Sequence, residues 1–392
     1  MSTAVHLAFK EVWRNRARFL LFSLVVALIT LLVLFIAALG EGLGSGNREY
    51  LEKLNADLIV YQDTARLAIA GSRIGCDTRG SIRSVEGVRD AGALGFSSVS
   101  VLIDESTDAV YPPELLDISL VGVEPGKPGE PPVVTGQGLL RKSADEAIID
   151  RTVAMVTERG VGDSITIRST LGNEYEYYTL QVVGITDSRK YGLQPSVFVP
   201  IVTWDKVRPK AVAAAVQEDP ACNVVAVQLE DPAQLESMRQ RLQAQVDRIE
   251  AVGRKTAYEN TPGYTAQQST LNTQNGFALL IGVLVVGGFF QIQTLQKVPQ
   301  IGMLKAIGTP NLVVALAALI QILIVTLVGV IIGSLASFGL SLTMPPNIPI
   351  IFDPRSSVIA VVSLLFMGPI GGLVSIRYSL RVEPLIALGL GS

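Results

Sequence analysis

Two lysines, Lys297 and Lys305, bracket a half-apolar run in residues 293–310, QTLQKVPQIGMLKAIGTP. The segment is short and half apolar, and what it offers is a docking surface. Pro299 fits the first turn of a helix, and Gly308-Thr309-Pro310 would end it. Ile301, Leu304 and Lys305 then fall on neighbouring positions, which makes a short amphipathic helix. Two uses are open to such a helix: lying in a bilayer interface as an anchor, or seating its apolar face and lysines in the groove of a soluble partner.

Other chemistry has little support. The nearest approach to a phosphate-binding loop, Gly122 to Pro128, has the wrong glycine spacing and a proline where the hydroxyl should stand. A lone histidine, His6, and two cysteines, Cys76 and Cys222, make no recognisable zinc site. The cysteines read as two small buried side chains, with a single disulfide between them the competing expectation. Asp145-Glu146 reads as an exposed turn, and the insert shows no nucleophile elbow or histidine, so neither a catalytic nor a metal site is expected. Net charge is −3 with a pI near 5.5, which leaves no basic field for nucleic acid.

Composition points to a membrane. The 392 residues are 49% hydrophobic and 17% charged, with a mean hydropathy of +0.42, against roughly 25% charged in soluble domains. Residues 19–40 form an uncharged run of about 22 residues, enough to cross a bilayer core of roughly 30 Å. The run is too long for a signal-peptide core of about 7–15 residues, so its retention is expected. Three more spans are predicted at residues 275–293, 311–343 and 357–376. Gln291, Gln293, Gln321 and Thr326 lie in or beside these spans and need partners on other helices. Gly329-x-x-x-Gly333 and Gly368-x-x-x-Gly372 would permit close helix approach within the bundle or at a dimer seam, and Pro369 would kink the fourth span.

Basic residues near the span ends set the orientation. Lys10, Arg14, Arg16 and Arg18 precede the first span, Lys297 and Lys305 follow the second, and Arg377 and Arg381 follow the fourth; the loop at 344–356 has only Arg355. Both termini are therefore expected in the cytoplasm of a plasma (inner) membrane protein. The expected organisation is an N-terminal amphipathic helix over 1–18, an extracytoplasmic domain over 41–274, a cytoplasmic link over 294–310 and a cytoplasmic tail over 377–392.

The fold class is thus membrane α-helical, four transmembrane helices with a large inserted α+β extracytoplasmic domain. Short strands are predicted at 56–61, 97–103, 118–123, 147–150, 164–168, 178–185 and 197–200. A helix is predicted at 81–88, and another begins at the Asp231-Pro232 cap and runs on through Leu235, Met238, Leu242, Val246 and Ile249. The turn-rich GKPGEPP at 126–132 would separate two lobes. Residues 264–275, polar and free of glycine and proline, would extend the second span as a helical stalk.

QKVPQIGMLKAIGTP resembles the signature of the MacB/FtsX-type (type VII) ABC transporter permeases, in which a helix ending in Lys-Ala-Ile/Val-Gly links the second and third spans. LAFKEVWRNRARFLLF at the N-terminus and RVEPLIAL at 381–388 are similar to the ends of that family. FIAALGEGLGSGNREYLEKLNADLIV and GYTAQQSTLNTQNGF resemble its haem-exporter, HrtB-like branch, and more distantly the DevC-like branch. The resemblance implies a permease homodimer with two cytoplasmic ATPase subunits, which carry the ATP and magnesium. Each ATPase would grip residues here numbered Gln296, Lys297, Gln300, Ile301, Met303, Leu304, Lys305, Ala306 and Gly308. It also implies mechanotransmission, efflux of a hydrophobic or amphipathic cargo with haem as the leading candidate, and room for an extracytoplasmic adaptor. Glu41 at the outer mouth is then either a cargo contact, with nearby tyrosines or methionines, or a solvated helix-end charge. The competing reading is an FtsX-like scaffold that regulates an extracytoplasmic partner without transport.

Overall fold

The computed structural model describes residues 2–103, 113–210, 221–261, 264–344 and 350–381. The chain divides into two compact units, Met1–Leu43 with Gln267–Ser392, and Gly44–Ala266. Chain order begins with α1 (Ser2–Arg14), α2 (Arg16–Glu52), β1 (Leu58–Gln62), β2 (Ile74–Gly75), α3 (Cys76–Arg83), β3 (Val88–Leu102) and β4 (Leu115–Val123). It continues through β5 (Val133–Gly136), β6 (Glu146–Asp150), α4 (Arg151–Thr157), β7 (Ser164–Leu171), β8 (Glu174–Thr186), β9 (Ser196–Pro200) and α5 (Ile201–Val207). The remainder is β10 (Ala221–Cys222), β11 (Val224–Leu229), α6 (Leu235–Gln245), β12 (Ile249–Gly253), α7 (Arg254–Glu259), α8 (Tyr264–Gln296), α9 (Val298–Ala306), α10 (Asn311–Thr343) and α11 (Pro354–Arg381).

Four of these helices, α2, α8, α10 and α11, are long and apolar enough to cross a membrane. Their inward faces meet around Val26, Val33, Phe290, Ile322, Val325 and Leu364, while leucines such as Leu24, Leu28 and Leu32 stay exposed as an apolar outer stripe. The first of them does not stop at Gly40 but continues to Glu52, because no proline or charge cluster interrupts its helical run. The stalk sequence and the second span form one helix from Tyr264. Both glycine pairs are used within the chain: a Cβ on Gly333 would lie 2.4 Å from the Ala27 carbonyl oxygen, and one on Gly372 would lie 2.2 Å from Ile322. Helix α11 runs through Pro369 to Arg381. Residues 382–388 of the C-terminal stretch lie outside the described residues.

The Gly44–Ala266 unit is built on one ten-stranded mixed sheet. Pairings β3-β4-β9-β6-β8-β7 and back to β3 close a ring. Strand alternation fills its interior: Val99 and Val101 of β3, Ile118 and Leu120 of β4, and Ile165 and Ile167 of β7 all point into one core. Strands β12, β1 and β11 extend the sheet beyond β3, and α3 and α6 cover one face of that extension through Ile82, Met238 and Leu242. The opposite face receives the end of α2, with Tyr50 and Leu51 fully buried. Each such large apolar side chain contributes roughly 1.5–3 kcal/mol on burial.

Three expectations for this unit are corrected. GKPGEPP does not divide two lobes: β4 before it pairs in parallel with β9 after it, and the turn folds back so that the Tyr50 hydroxyl donates to the Gly129 carbonyl at 2.8 Å. The helix after Asp231 has the expected cap, the carboxylate accepting from Ala233 N at 3.0 Å, but it ends at Gln245. Val246 turns extended, Arg248 takes a left-handed φ of 58°, and Ile249 opens β12, so tertiary pairing with β1 outweighs the helical spacing. The helix expected at 81–88 lies at Cys76–Arg83, and Val88 instead begins β3. Cys222 is buried, and its thiol donates to Ile74 O at 3.5 Å.

Trp204 caps this sheet, its indole N–H donating to Ser97 Oγ at 3.0 Å. Only glycine fits beneath it: a Cβ on Gly95 would lie 2.4 Å from the ring. Gly95→Ala is expected to destabilise the unit by about 1–3 kcal/mol, read as a lower melting temperature of the purified chain; an unchanged melting temperature would contradict this packing.

Candidate functional site

The segment between α8 and α10 is stopped at both ends by its own backbone chemistry. Pro299 occupies the first turn of α9, where its missing N–H is no loss. At the far end Gly308 takes a φ of +94°, its N–H donates to Lys305 O at 3.0 Å, and Thr309 N donates to Leu304 O at 3.0 Å. That pair of bonds satisfies the last carbonyls and fixes the exit angle. A nine-residue helix with both ends so defined is a rigid peg.

The nine residues singled out by sequence divide between two faces. Ile301 is buried, and Leu304, Lys297 and Lys305 are half-buried. Gln296, Gln300, Met303, Ala306 and Gly308 are exposed. Both lysines are held by the chain itself. Lys305 donates to Leu380 O at 2.9 Å, and its partial burial holds its pKa below the ordinary lysine value. Lys297 forms an ion pair with Glu11 of α1 and lies 3.4 Å from both Gln293 Oε1 and Gln321 Oε1. Gln296 accepts from Arg18 at 3.0 Å.

Beside the exposed amides of Gln296 and Gln300, the peg presents two large apolar side chains outward: Met303 is 54% exposed and Ile307 is 78% exposed. Ile307 was not among the residues singled out from sequence. Its signal was there, since it follows Met303 at the four-residue spacing that puts two side chains on one helix face.

Of the polar span residues singled out from sequence, Gln293, Gln321 and Thr326 are buried and Gln321 reaches α1, but Thr326 donates to Ile322 O of its own helix at 2.8 Å and Gln291 Oε1 is buried with no hydrogen-bond partner among the described residues. Gln293, Thr294, Gln321 and Ser375 are buried, and together with Glu11, Lys297, Ile301 and Leu304 they line a cleft of about 90 Å³ beneath α9. Thr294 and Ser375 share a hydrogen bond, Ser375 donates on to Phe290 O at 2.9 Å, and Gln321 donates to Glu11 Oε2 at 2.6 Å.

Glu41 lies elsewhere in the same unit. It lines a cleft of about 290 Å³ between α2, α8 and α11, with Gly40, Gln268, Asn272, Asn275 and Ser356 around its polar part and Val33, Ile36, Leu279 and Ile359 around its apolar part. The Asn275 Oδ1 atom is buried there with no protein partner. The described lining residues include none of the tyrosines or methionines expected near Glu41.

An apolar four-helix unit carrying a capped, exposed peg between its second and third spans, with a large domain inserted after the first, is the plan of a multi-pass membrane protein. Family models specify it further: a MacB-like periplasmic core domain matches residues 19–245 and an FtsX-like permease C-terminal matches residues 275–384. The chain belongs to the MacB/FtsX-type permeases of ABC transporters.

Among curated relatives, a protein named "Putative hemin transport system permease protein HrtB" from Staphylococcus haemolyticus (strain JCSC1435) is 26% identical over 385 residues, 98% of this chain and 99% of that protein. A namesake from Staphylococcus epidermidis (strain ATCC 12228 / FDA PCI 1200) is 22% identical over 389 residues, 99% of this chain and 100% of its own length. Two solved structures are similar over the inserted domain. The extracellular domain of the noncanonic ABC-type transporter YknZ from Gram-positive bacteria has a TM-score of 0.35 and 15% identity, covering 51% of this chain and 100% of that one. The periplasmic region of MacB from Actinobacillus actinomycetemcomitans has a TM-score of 0.35 and 10% identity, covering 53% and 94%.

Proposed function

We propose that this permease works as a homodimer with two copies of a separate cytoplasmic ATPase, and that ATP hydrolysis there drives efflux of a hydrophobic or amphipathic cargo by mechanotransmission. The observation that carries the reading is α9: a peg closed at both ends, tethered on one side through Lys297 and Lys305 and showing Met303 and Ile307 on the other. An apolar helix face of this kind seats in a groove of a soluble partner. Helices α2 and α8 each contribute residues to both units of the chain, which suits a machine that works by moving rigid elements. On this reading both termini are cytoplasmic.

Haem is the cargo we favour, because relatives named for hemin transport align over nearly the whole chain. The Glu41 cleft suits entry from the bilayer: apolar walls would take a flat macrocycle, and a carboxylate with amides at the rim would meet its polar edge. Its volume of about 290 Å³ sits at the lower end of the ~300–1,000 Å³ typical of ligand sites.

The test uses the permease co-purified with its ATPase in lipid nanodiscs and titrated with haemin. Haemin is expected to raise ATP hydrolysis several-fold with a shift of its Soret band, and Glu41→Ala is expected to remove most of that stimulation with basal hydrolysis intact. Stimulation by a lipid or peptide but not by haemin would reject haem. A complex that no cargo stimulates, yet that activates an extracytoplasmic hydrolase, would establish the FtsX-like scaffold reading instead.

A further inference from the structure

Lys297 is the last residue before α9, and its side chain turns back onto the chain. Its ammonium pairs with Glu11 of α1, with 18% and 28% of the two side chains exposed, and lies 5.8 Å from the Phe19 ring centroid. Glu11 is further fixed by Gln321 of α10, which donates to its other carboxylate oxygen at 2.6 Å. A second bond, from Arg18 to Gln296 at 3.0 Å, joins the start of α2 to the residue before Lys297. Helix α1 is thus tied to the root of α9 by charge, while its own outer stripe of Val5, Phe9 and Trp13 stays exposed.

We propose that Glu11 is a positioning residue for α9: by holding Lys297 it makes the N-terminal helix a working part of the transmission, setting where the ATPase-facing peg stands. This rests on the permease reading above for its consequence in ATP turnover, but not for the geometry. The physical reason is the cost of separation. A half-buried ammonium that loses its carboxylate must find water or lean on the uncharged amides of Gln293 and Gln321, each already at 3.4 Å, so the root of α9 shifts when Glu11 is neutralised. A reversed pair would keep its partners, because an amide can present either its oxygen or its N–H₂ to the same place.

Spin labels at Trp13→Cys on α1 and Ile307→Cys beside α9, in a chain carrying Cys76→Ser and Cys222→Ala, measure the arrangement directly in the purified permease without any ATPase. The interlabel distance distribution is expected to be narrow in this background, at least twofold broader with Glu11→Gln or Lys297→Gln, and narrow again with Glu11→Lys plus Lys297→Glu. An unchanged width with Glu11→Gln, or a reversed pair as broad as the single variants, would overturn the assignment. With the ATPase present, Glu11→Gln is expected to lower the maximal rate of ATP turnover at least threefold with its KM for ATP unchanged, and the reversed pair to recover it. Should no ATPase bind the unmodified permease, the functional reading fails while the distance measurement still decides the role of Glu11.

Discussion

Replacing Met303 and Ile307 together with glutamate is expected to abolish capture of the ATPase subunit while leaving the permease folded. The two side chains are 54% and 78% exposed, so neither supports the interior, and surface changes of this kind alter stability by about 0.5 kcal/mol or less. In a groove the same residues would be the apolar anchors of the contact. Buried anchors contribute roughly 2 kcal/mol or more each, and a carboxylate forced into their place must be stripped of water. Affinity should therefore fall at least a hundredfold, about 3 kcal/mol. Co-purification and isothermal titration give the affinity, and size-exclusion profile and melting temperature report the fold. Gln300→Ala, on the same exposed side, should cost little. Normal ATPase binding by the double glutamate variant would refute the assignment of α9 as the docking element.

Gly333→Leu should be strongly damaging inside the bundle, and Gly339→Leu on the same helix should be nearly silent. A Cβ at 333 would sit 2.4 Å from the Ala27 carbonyl oxygen and 2.6 Å from Thr30 Cβ, whereas one at 339 meets nothing within 4 Å. The first neighbour is backbone, which cannot swing aside as a long side chain can, so α10 and α2 must separate. Nothing hydrophobic drives two helices together in lipid, and their association depends on close contact between backbones. Overpacking costs about 1–3 kcal/mol in ordinary cores; a leucine against a carbonyl should reach the upper part of that range, a fall of roughly 6–12 °C in melting temperature. Thermal denaturation of the two purified variants side by side settles the matter, and equal losses at both positions would show the packing to be wrong.

Much of the architecture is legible in the sequence, and the reason is the solvent. A bilayer demands long uncharged helices, so the four spans stand out from composition and length alone. Local chemistry was equally plain where it is self-contained: the Asp231 cap and the Pro299 and Gly308 boundaries depend only on adjacent residues. Strands β1, β4, β6 and β9 were legible because buried β-branched runs sit between turn residues.

Elsewhere the answer depended on partners distant in the chain. Ile249 continues a helical spacing from Leu235, yet it pairs with Gln62 as a strand. GKPGEPP has the composition of a linker, but lies within one sheet because β4 and β9 join across it. Lys297 and Lys305 look like a charged docking face when only spacing is known, and the fold turns both back onto the chain.

By itself, then, the sequence determined that this protein has four helices long and apolar enough to cross a membrane, that a large domain is inserted after the first, and which segment joins the second and third. The tertiary structure alone decided which side of that segment is exposed, that Glu11 pairs with Lys297 at its root, and that Glu41 lies in a cleft with Asn275. The difference is one of range. Hydrophobic length and helix capping are properties of neighbouring residues, while exposure, ion pairing and cleft formation are set by residues hundreds of positions apart that only folding brings together.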